Sequence, residues 1–121
     1  MATSVIKSQN SKTTGTITKV VSSGTLDCEK LLKVGDTVFA SGRIHTLPNV
    51  STNQDFFQIP EGFRPAEKIY VNGYATVTYN GETMQGISMF IAINPSGKVS
   101  ATYSQTATLT QIFFAGSWSV V

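Results

Sequence analysis

Histidine and cysteine are almost missing from this chain of 121 residues, which contains one of each. The single cysteine, Cys28, excludes an intrachain disulfide, and the single histidine, His45, excludes the multi-histidine sets that bind zinc. We therefore expect no metal and no other cofactor. The sequence also has no Gly-x-Ser-x-Gly motif, and its few acidic residues lie mostly in predicted turns, so we expect no enzymatic activity.

Charged residues are scarce as well, at 13% of the chain, which is about half the share of an average domain. The nine basic residues are scattered among seven acidic ones, so no phosphate-binding stripe forms and we expect no nucleic-acid partner. Met1–Asn10 has no apolar segment of the kind a signal peptide needs, and no run approaches the ~20 apolar residues of a membrane span. We expect synthesis in a cytoplasm and no membrane insertion.

Short hydrophobic runs are what the chain does contain. Thr, Val, Ile, Phe and Tyr recur in them, which favours β-strands over helices, and turn signals separate them at intervals of ~8–12 residues. This spacing predicts a single all-β domain of about eight antiparallel strands, folded as a sandwich or barrel. Residues 1–14 are polar and predict a lead-in or linker stub, and residues 15–121 form the predicted β domain.

Four short segments predict the turns between strands: Val34-Gly35-Asp36, Asn72-Gly73, Asn80-Gly81 and Asn94-Pro95-Ser96-Gly97. Leu26–Val34 fits neither period well, and we interpret it as a strand, with a helical turn as the alternative. Alternation in the other segments places one apolar set inward. The predicted core contains Ile44, Ile59, Val77, Met89, Ile91 and Ile112.

The stretch Phe56–Pro65 combines a short apolar strand with two prolines. Pro60 removes a backbone donor and ends the strand, and Pro65 keeps Arg64 out of the helical region. We interpret the stretch as a corner, at which the chain leaves one strand and crosses to a new strand at Glu67–Val71. A plain surface loop is the alternative.

Several further motifs occur in a fixed order along nearly the whole chain from about Gly15. They are Lys33–Val38, Ser41–Ile44, the corner Ile59–Pro65, Ile91–Val99 and Ile112–Trp118. Together they resemble the C-terminal head domains of receptor-binding proteins at the tail tips and baseplates of phages that infect Gram-positive bacteria. The corner, Pro-Glu-Gly-Phe-Arg-Pro, is the most specific part of this resemblance.

The resemblance implies a jelly-roll-like β-sandwich in the virion, assembled as a homotrimer beside other tail or baseplate proteins. It also implies binding to host cell-wall saccharides. The alternative is a structural decoration or tail-tip module without a ligand. Three phenylalanines alternate out of register with the core, and we expect this outward set to supply part of the trimer interface: Phe39, Phe90 and Phe113.

The expected saccharide site lies on the polar segment Pro48–Asp55 and the corner, because connecting loops often carry binding groups. Amide, carboxylate and guanidinium groups there match the hydroxyls and acidic substituents of sugars. Trp118 either packs in the core or forms a platform on which a sugar ring stacks. The candidate ligand-binding residues are His45, Asn53, Gln54, Asp55, Arg64 and Trp118.

Overall fold

The computed structural model describes residues 11–103 and 107–121, and the secondary structure of these residues is entirely β. The ten strands are β1 Lys12–Thr14, β2 Thr18–Lys19, β3 Thr25–Val34, β4 Thr37–His45, β5 Val50–Ser51, β6 Gln54–Gln58, β7 Ile69–Tyr79, β8 Glu82–Ile93, β9 Lys98–Thr102 and β10 Thr108–Ser119. No helix long and apolar enough to cross a membrane occurs in this part of the chain.

The strands form one antiparallel sheet in the order β1-β3-β4-β10-β7-β8-β9-β6-β2, and the short β5 pairs with β10. The sheet curls into a half-barrel, so its two halves face each other as in a sandwich. The predicted all-β antiparallel fold is thereby confirmed. The structure has ten strands where about eight were expected, and three of the ten, β1, β2 and β5, are only two or three residues long.

The hydrophobic core lies between the two facing halves of the sheet. Phe57 of β6 and Phe114 of β10 are not on neighbouring strands, yet their rings meet edge to face with centroids 4.8 Å apart. A Cβ atom at Gly42 would lie 3.2 Å from each of these two rings, which explains a glycine in the middle of β4. All six predicted core residues are buried.

The N-terminal segment of residues 12–19, called here the N-terminal crossing, connects the two edges of the curled sheet. Its strands β1 and β2 are separated by three residues, but β1 pairs with β3 and β2 pairs with β6 at opposite ends of the strand order. Ile17 is buried at the crossing point. β1 lies at the end of the expected lead-in, and residues 1–10 of that lead-in are outside the described residues.

The corner after β6 crosses one end of the half-barrel, because β8 and β9 lie between β6 and β7 in the sheet. Ile59 N–H donates to Gly97 O at 2.8 Å, and Arg64 Nε donates to Ile59 O at 2.8 Å. Phe63 is buried and its carbonyl accepts a hydrogen bond from Trp118 Nε1. The prediction of a corner rather than a plain surface loop is confirmed, although the strand that follows it begins at Ile69 and not at Glu67.

Two local predictions are wrong. Asn72-Gly73 is not a turn but the middle of the continuous strand β7, where a Cβ on Gly73 would lie 2.5 Å from Phe113 O. The glycine therefore permits close packing of β7 against β10. The polar segment Pro48–Asp55 is not one loop either, since it contains β5 and the start of β6.

Three turn predictions are confirmed. Asn80 and Gly81 have φ values of 51° and 79° between paired Tyr79 and Glu82, as a two-residue type I′ hairpin requires. The turns at residues 34–36 and 94–97 join β3 to β4 and β8 to β9. Leu26–Val34 is a strand, as interpreted, with a bulge at Cys28 (φ 52°) in place of a helical turn.

Candidate functional site

Five aromatic side chains lie on the outer surface of the sheet, and we call this surface the aromatic face. It consists of Phe39 on β4, Tyr70 and Tyr74 on β7, Phe90 on β8 and Phe113 on β10. They point outward because strand residues alternate between faces and their neighbours fill the core. Phe90 is 69% exposed and Tyr70 is 59% exposed, which is unusual for such large apolar groups. Clustered exposed aromatic side chains mark binding surfaces.

Tyr70 and Phe90 border a shallow depression in the aromatic face. Their ring centroids are 6.5 Å apart with the planes at 77°. The depression has a volume of about 410 Å³ and is lined by Tyr70, Ser88, Met89, Phe90, Thr102 and Tyr103. It therefore combines two aromatic rings with hydroxyl-bearing side chains, and its shape is that of an open surface rather than an enclosed cavity.

A second aromatic pair lies farther along β7. Tyr74 and Phe113 are directly opposite each other on β7 and β10, and their rings stack with centroids 4.9 Å apart and planes at 29°. Tyr74 is exposed, and Phe113 is half-buried beneath it. The stack holds the Tyr74 ring in one orientation, because cross-strand aromatic neighbours contact each other over their faces.

Three charged or titratable side chains adjoin this stack, and we call them the charged cluster: Asp27, Arg43 and His45. Arg43 donates from Nε and Nη2 to the two carboxylate oxygens of Asp27, at 2.7 and 2.6 Å, and His45 Nε2 lies 3.3 Å from Asp27 Oδ2. Arg43 is opposite Phe113 in the sheet. The hydrogen bond from Arg43 lowers the pKa of Asp27 to about 2, and Asp27 raises the pKa of Arg43. Asp27 therefore compensates the charge of Arg43 and fixes its position.

Half of the residues predicted as a site lie along β6 and the preceding turn, beside the depression. Asn53 Oδ1 accepts the backbone N–H of Tyr103, a residue of the depression, at 3.0 Å. Asp55 is directly opposite Ser100, which is opposite Ala92, which in turn is opposite Tyr70. Residues directly opposite each other point to the same face of a sheet, so Asp55 is on the outer face together with Tyr70. Gln54 Nε2 donates to Ser51 O, which commits the amide to the local turn.

The other three predicted residues lie elsewhere. His45 is part of the charged cluster, and Arg64 hydrogen-bonds inside the corner. Trp118 is 6% exposed, and its ring nitrogen donates to Phe63 O at 2.7 Å. The structure therefore contradicts Trp118 as a sugar platform, because its indole packs between β10 and the corner. The six residues do not form one site.

Sequence reasoning missed Tyr70 and Tyr74 as a pair on one strand. Both are outward on β7, four residues apart, but the expected turn at Asn72-Gly73 assigned them to different strands. The outward set Phe90 and Phe113 was identified from its register, and each of these phenylalanines contacts one of the two tyrosines. Tyr70, Asn72 and Tyr74 alternate with inward residues, and this alternation is not interrupted at Gly73. It is the sequence pattern that could have predicted one continuous strand.

The chain matches no protein-family model and no curated protein. The resemblance to receptor-binding heads therefore rests on the sequence motifs, of which the corner Ile59–Pro65 is the most specific. In the described residues, no group of three or more His, Cys, Asp or Glu side chains is placed to hold a metal ion.

Proposed function

We propose that this chain is a head domain of a phage tail tip or baseplate that attaches the virion to saccharides of the host cell envelope, with no catalytic step. The observation that carries the saccharide-binding part is the depression between Tyr70 and Phe90 on the aromatic face. The assignment to a phage particle is supported by the motif resemblance.

The chemistry of the depression suits a neutral sugar. A sugar ring presents C–H groups on one face and hydroxyls around its rim, so it needs an apolar surface and neutral hydrogen-bonding groups together. Tyr70 and Phe90 supply the first, and Ser88 and Thr102 supply hydroxyls that both donate and accept. The two rings belong to paired strands, which already hold them in place. The free-energy cost of ordering the protein on binding is therefore small.

Trimerisation and contact with other tail or baseplate proteins form part of the same proposal. A single shallow site binds weakly, and joining three on one particle raises the effective strength by roughly 10²–10⁴. Phe39 is 46% exposed and lies on β4, two strands away from β7, so it is available for a protomer contact when the depression holds a ligand. Light scattering on the purified protein should give three times the chain mass. A monomer mass at micromolar concentration would refute the trimer.

The alternative is a structural virion module whose aromatic face is covered by a neighbouring tail protein. The exposure of Phe90 and Tyr70 suits such a contact too, because large exposed apolar patches also mark protein interfaces. The hydroxyl-bearing lining of the depression favours the saccharide over this alternative.

The test is a glycan array and a cell-wall pulldown with the wild type and the variants Phe90→Ala and Tyr70→Ala. The control is Phe39→Ala, which removes the same type of exposed ring from another part of the sheet. Affinities are then measured with a soluble glycan by calorimetry, so that the oligomeric state does not alter the result per site.

We expect Phe90→Ala and Tyr70→Ala to lose most of the binding, with Tm nearly unchanged because both rings are exposed. Phe39→Ala should retain the affinity per site. If the wild type binds neither a glycan nor the cell wall, the proposed saccharide binding is refuted and the structural virion module becomes the favoured function.

A further inference from the structure

The two aromatic pairs of the aromatic face lie in line along strand β7. Tyr70 and Tyr74 are four residues apart and on the same face, which places their Cα atoms ~13–14 Å from each other in an extended strand. A six-membered sugar ring with its glycosidic oxygen advances a linear chain by roughly 5 Å, given single bonds of ~1.5 Å. The two pairs therefore have the spacing of sugar residues about three units apart.

Small polar side chains occupy the surface between the pairs. Asn72 on β7 is opposite Phe90, and Ser88 on β8 is opposite Tyr74, and both are exposed. Asn72 carries an amide and Ser88 carries a hydroxyl. Neither side chain is bulky enough to prevent one ligand from contacting both aromatic pairs. We call the complete set the aromatic track: Tyr70, Phe90, Asn72, Ser88, Tyr74 and Phe113.

From this arrangement we infer that the aromatic track binds a neutral linear glycan across three or four consecutive sugar residues, instead of one terminal sugar. This inference rests on the proposed saccharide function and names the substrate class. One ring of the glycan lies over Tyr70 and Phe90, another over Tyr74 and Phe113, and the rings between them contact Asn72 and Ser88.

The charge of the surface determines the class of polymer. None of the six side chains in the aromatic track carries a formal charge. At the Tyr74 end, the charge of Arg43 is compensated by Asp27, and at the other end the Lys68 ammonium lies 5.4 Å from the centre of the Tyr70 ring. A nucleic acid or another polyanion needs several cations to compensate its charges, and the aromatic track offers one, at one end. A neutral glycan carries no charge, so its binding does not require the removal of water from an ion.

The backbone around the track disfavours a peptide as its occupant. An extended peptide gains affinity by pairing with an open sheet edge. Strand β7 is already paired with β10 on one side and with β8 on the other, so it offers no ladder positions to a peptide. Only side chains are available on this face, and they are the aromatic, amide and hydroxyl groups that suit sugar rings.

The experiment measures affinity against chain length, using linear β-1,4-linked oligomers of glucose and of N-acetylglucosamine with one to six residues. Calorimetry is done on the full chain for the wild type, Tyr74→Ala, the conservative Tyr74→Phe and the control Phe39→Ala. Purified cell-wall polysaccharide, tested in parallel, reports whether any saccharide is bound at all. In at least one series, the wild-type affinity should rise with length up to three or four residues and then level off.

Tyr74→Ala should bind the disaccharide like the wild type but lose roughly 3–10-fold in affinity for the tetrasaccharide, since it removes one stacking ring. Tyr74→Phe and Phe39→Ala should keep the full dependence on length. If Tyr74→Ala does not fold, Tyr74→Leu replaces the ring with an apolar group of closer volume and carries the same expectation.

Two results would refute binding along the aromatic track but not the proposed function. One is binding of wall polysaccharide with no rise in affinity as the oligomers lengthen. The other is a Tyr74→Ala variant with the affinity of the wild type at every oligomer length. Binding confined to charged polymers and abolished by salt would refute binding along the aromatic track too. A wild type that binds neither the oligomers nor the wall polysaccharide overturns both proposals. A change of oligomeric mass in Tyr74→Ala without a change in affinity would show that this face contacts a second copy.

Discussion

Replacing Gly73 with alanine tests the close contact between β7 and β10 on which the positions of Tyr74 and Phe113 depend. The added Cβ would lie 2.5 Å from Phe113 O and 2.6 Å from Ile91 Cγ1. The first of these atoms belongs to the backbone, so a side-chain rotation cannot relieve the contact, and the two strands must separate. Overpacking of this kind costs about 1–3 kcal/mol.

A chain of this size loses roughly 3–6 °C in Tm for each kcal/mol of stability. We therefore expect Gly73→Ala to lower Tm by roughly 3–18 °C and to reduce the urea midpoint without changing the m-value. The comparison variant is Gly86→Ala, whose Cβ meets nothing within 4 Å but whose φ is 67°. It should cost only the backbone strain of about 1–2 kcal/mol.

The same change has a consequence for the aromatic track. Separation of β7 from β10 moves Tyr74 away from Phe113, so Gly73→Ala should also lose the gain in affinity between the disaccharide and the tetrasaccharide. The result that would refute this reasoning is a Gly73→Ala protein with the stability of the wild type. In that case, β7 and β10 would be farther apart than the structure places them.

Three further predictions concern stability. Trp118→Phe removes the hydrogen bond to the Phe63 carbonyl and should cost about 1–3 kcal/mol in urea unfolding followed by circular dichroism; a neutral result would mean that the indole does not hold the corner. Ile91→Ala should cost about 2–5 kcal/mol because Ile91 is fully buried, whereas Val121→Ala at an exposed position should cost almost nothing. The stabilisation from Asp27 should be complete above its unfolded pKa of 3.8 and disappear as the pH falls through about 2, because its folded pKa is lowered. Urea midpoints of the wild type and Asp27→Asn should accordingly converge at low pH, and a difference that stays constant from neutral pH to about 2 would contradict the ion pair with Arg43.

Much of the fold could be predicted because alternation and turn chemistry are local signals. Val38, Ala40, Gly42 and Ile44 are buried along β4 as their spacing requires. Asn80-Gly81 forms its hairpin because both residues tolerate positive φ. Asn72-Gly73 carries the same two residue types, but Gly73 is needed there for contact with β10, a strand about forty residues away. The sequence near Gly73 contains no sign of that distant partner.

The candidate site was harder to predict for a related reason. Its members come from β7, β8 and β10, and their proximity depends on a strand order that local patterns do not specify. The expectation that polar loops carry the binding groups pointed to Asn53, Gln54 and Arg64, whose side chains are already engaged in hydrogen bonds within the protein. Exposed aromatic residues on a regular strand were the more informative feature.

We expect the N-terminal crossing to influence the order in which this molecule folds and opens. Gly15 N–H within the crossing donates to Leu31 O of β3, and Val20 N–H directly after it donates to Phe56 O of β6, so its two ends are held by strands near opposite ends of the strand order. We therefore expect residues 12–19 to dock late in folding, once both edges are in place. We expect the amides of Gly15 and Val20 to exchange with solvent faster than those of β7 and β10. This result would show that local unfolding begins at the N-terminal crossing, while the strands that carry the aromatic face stay paired until the cooperative transition.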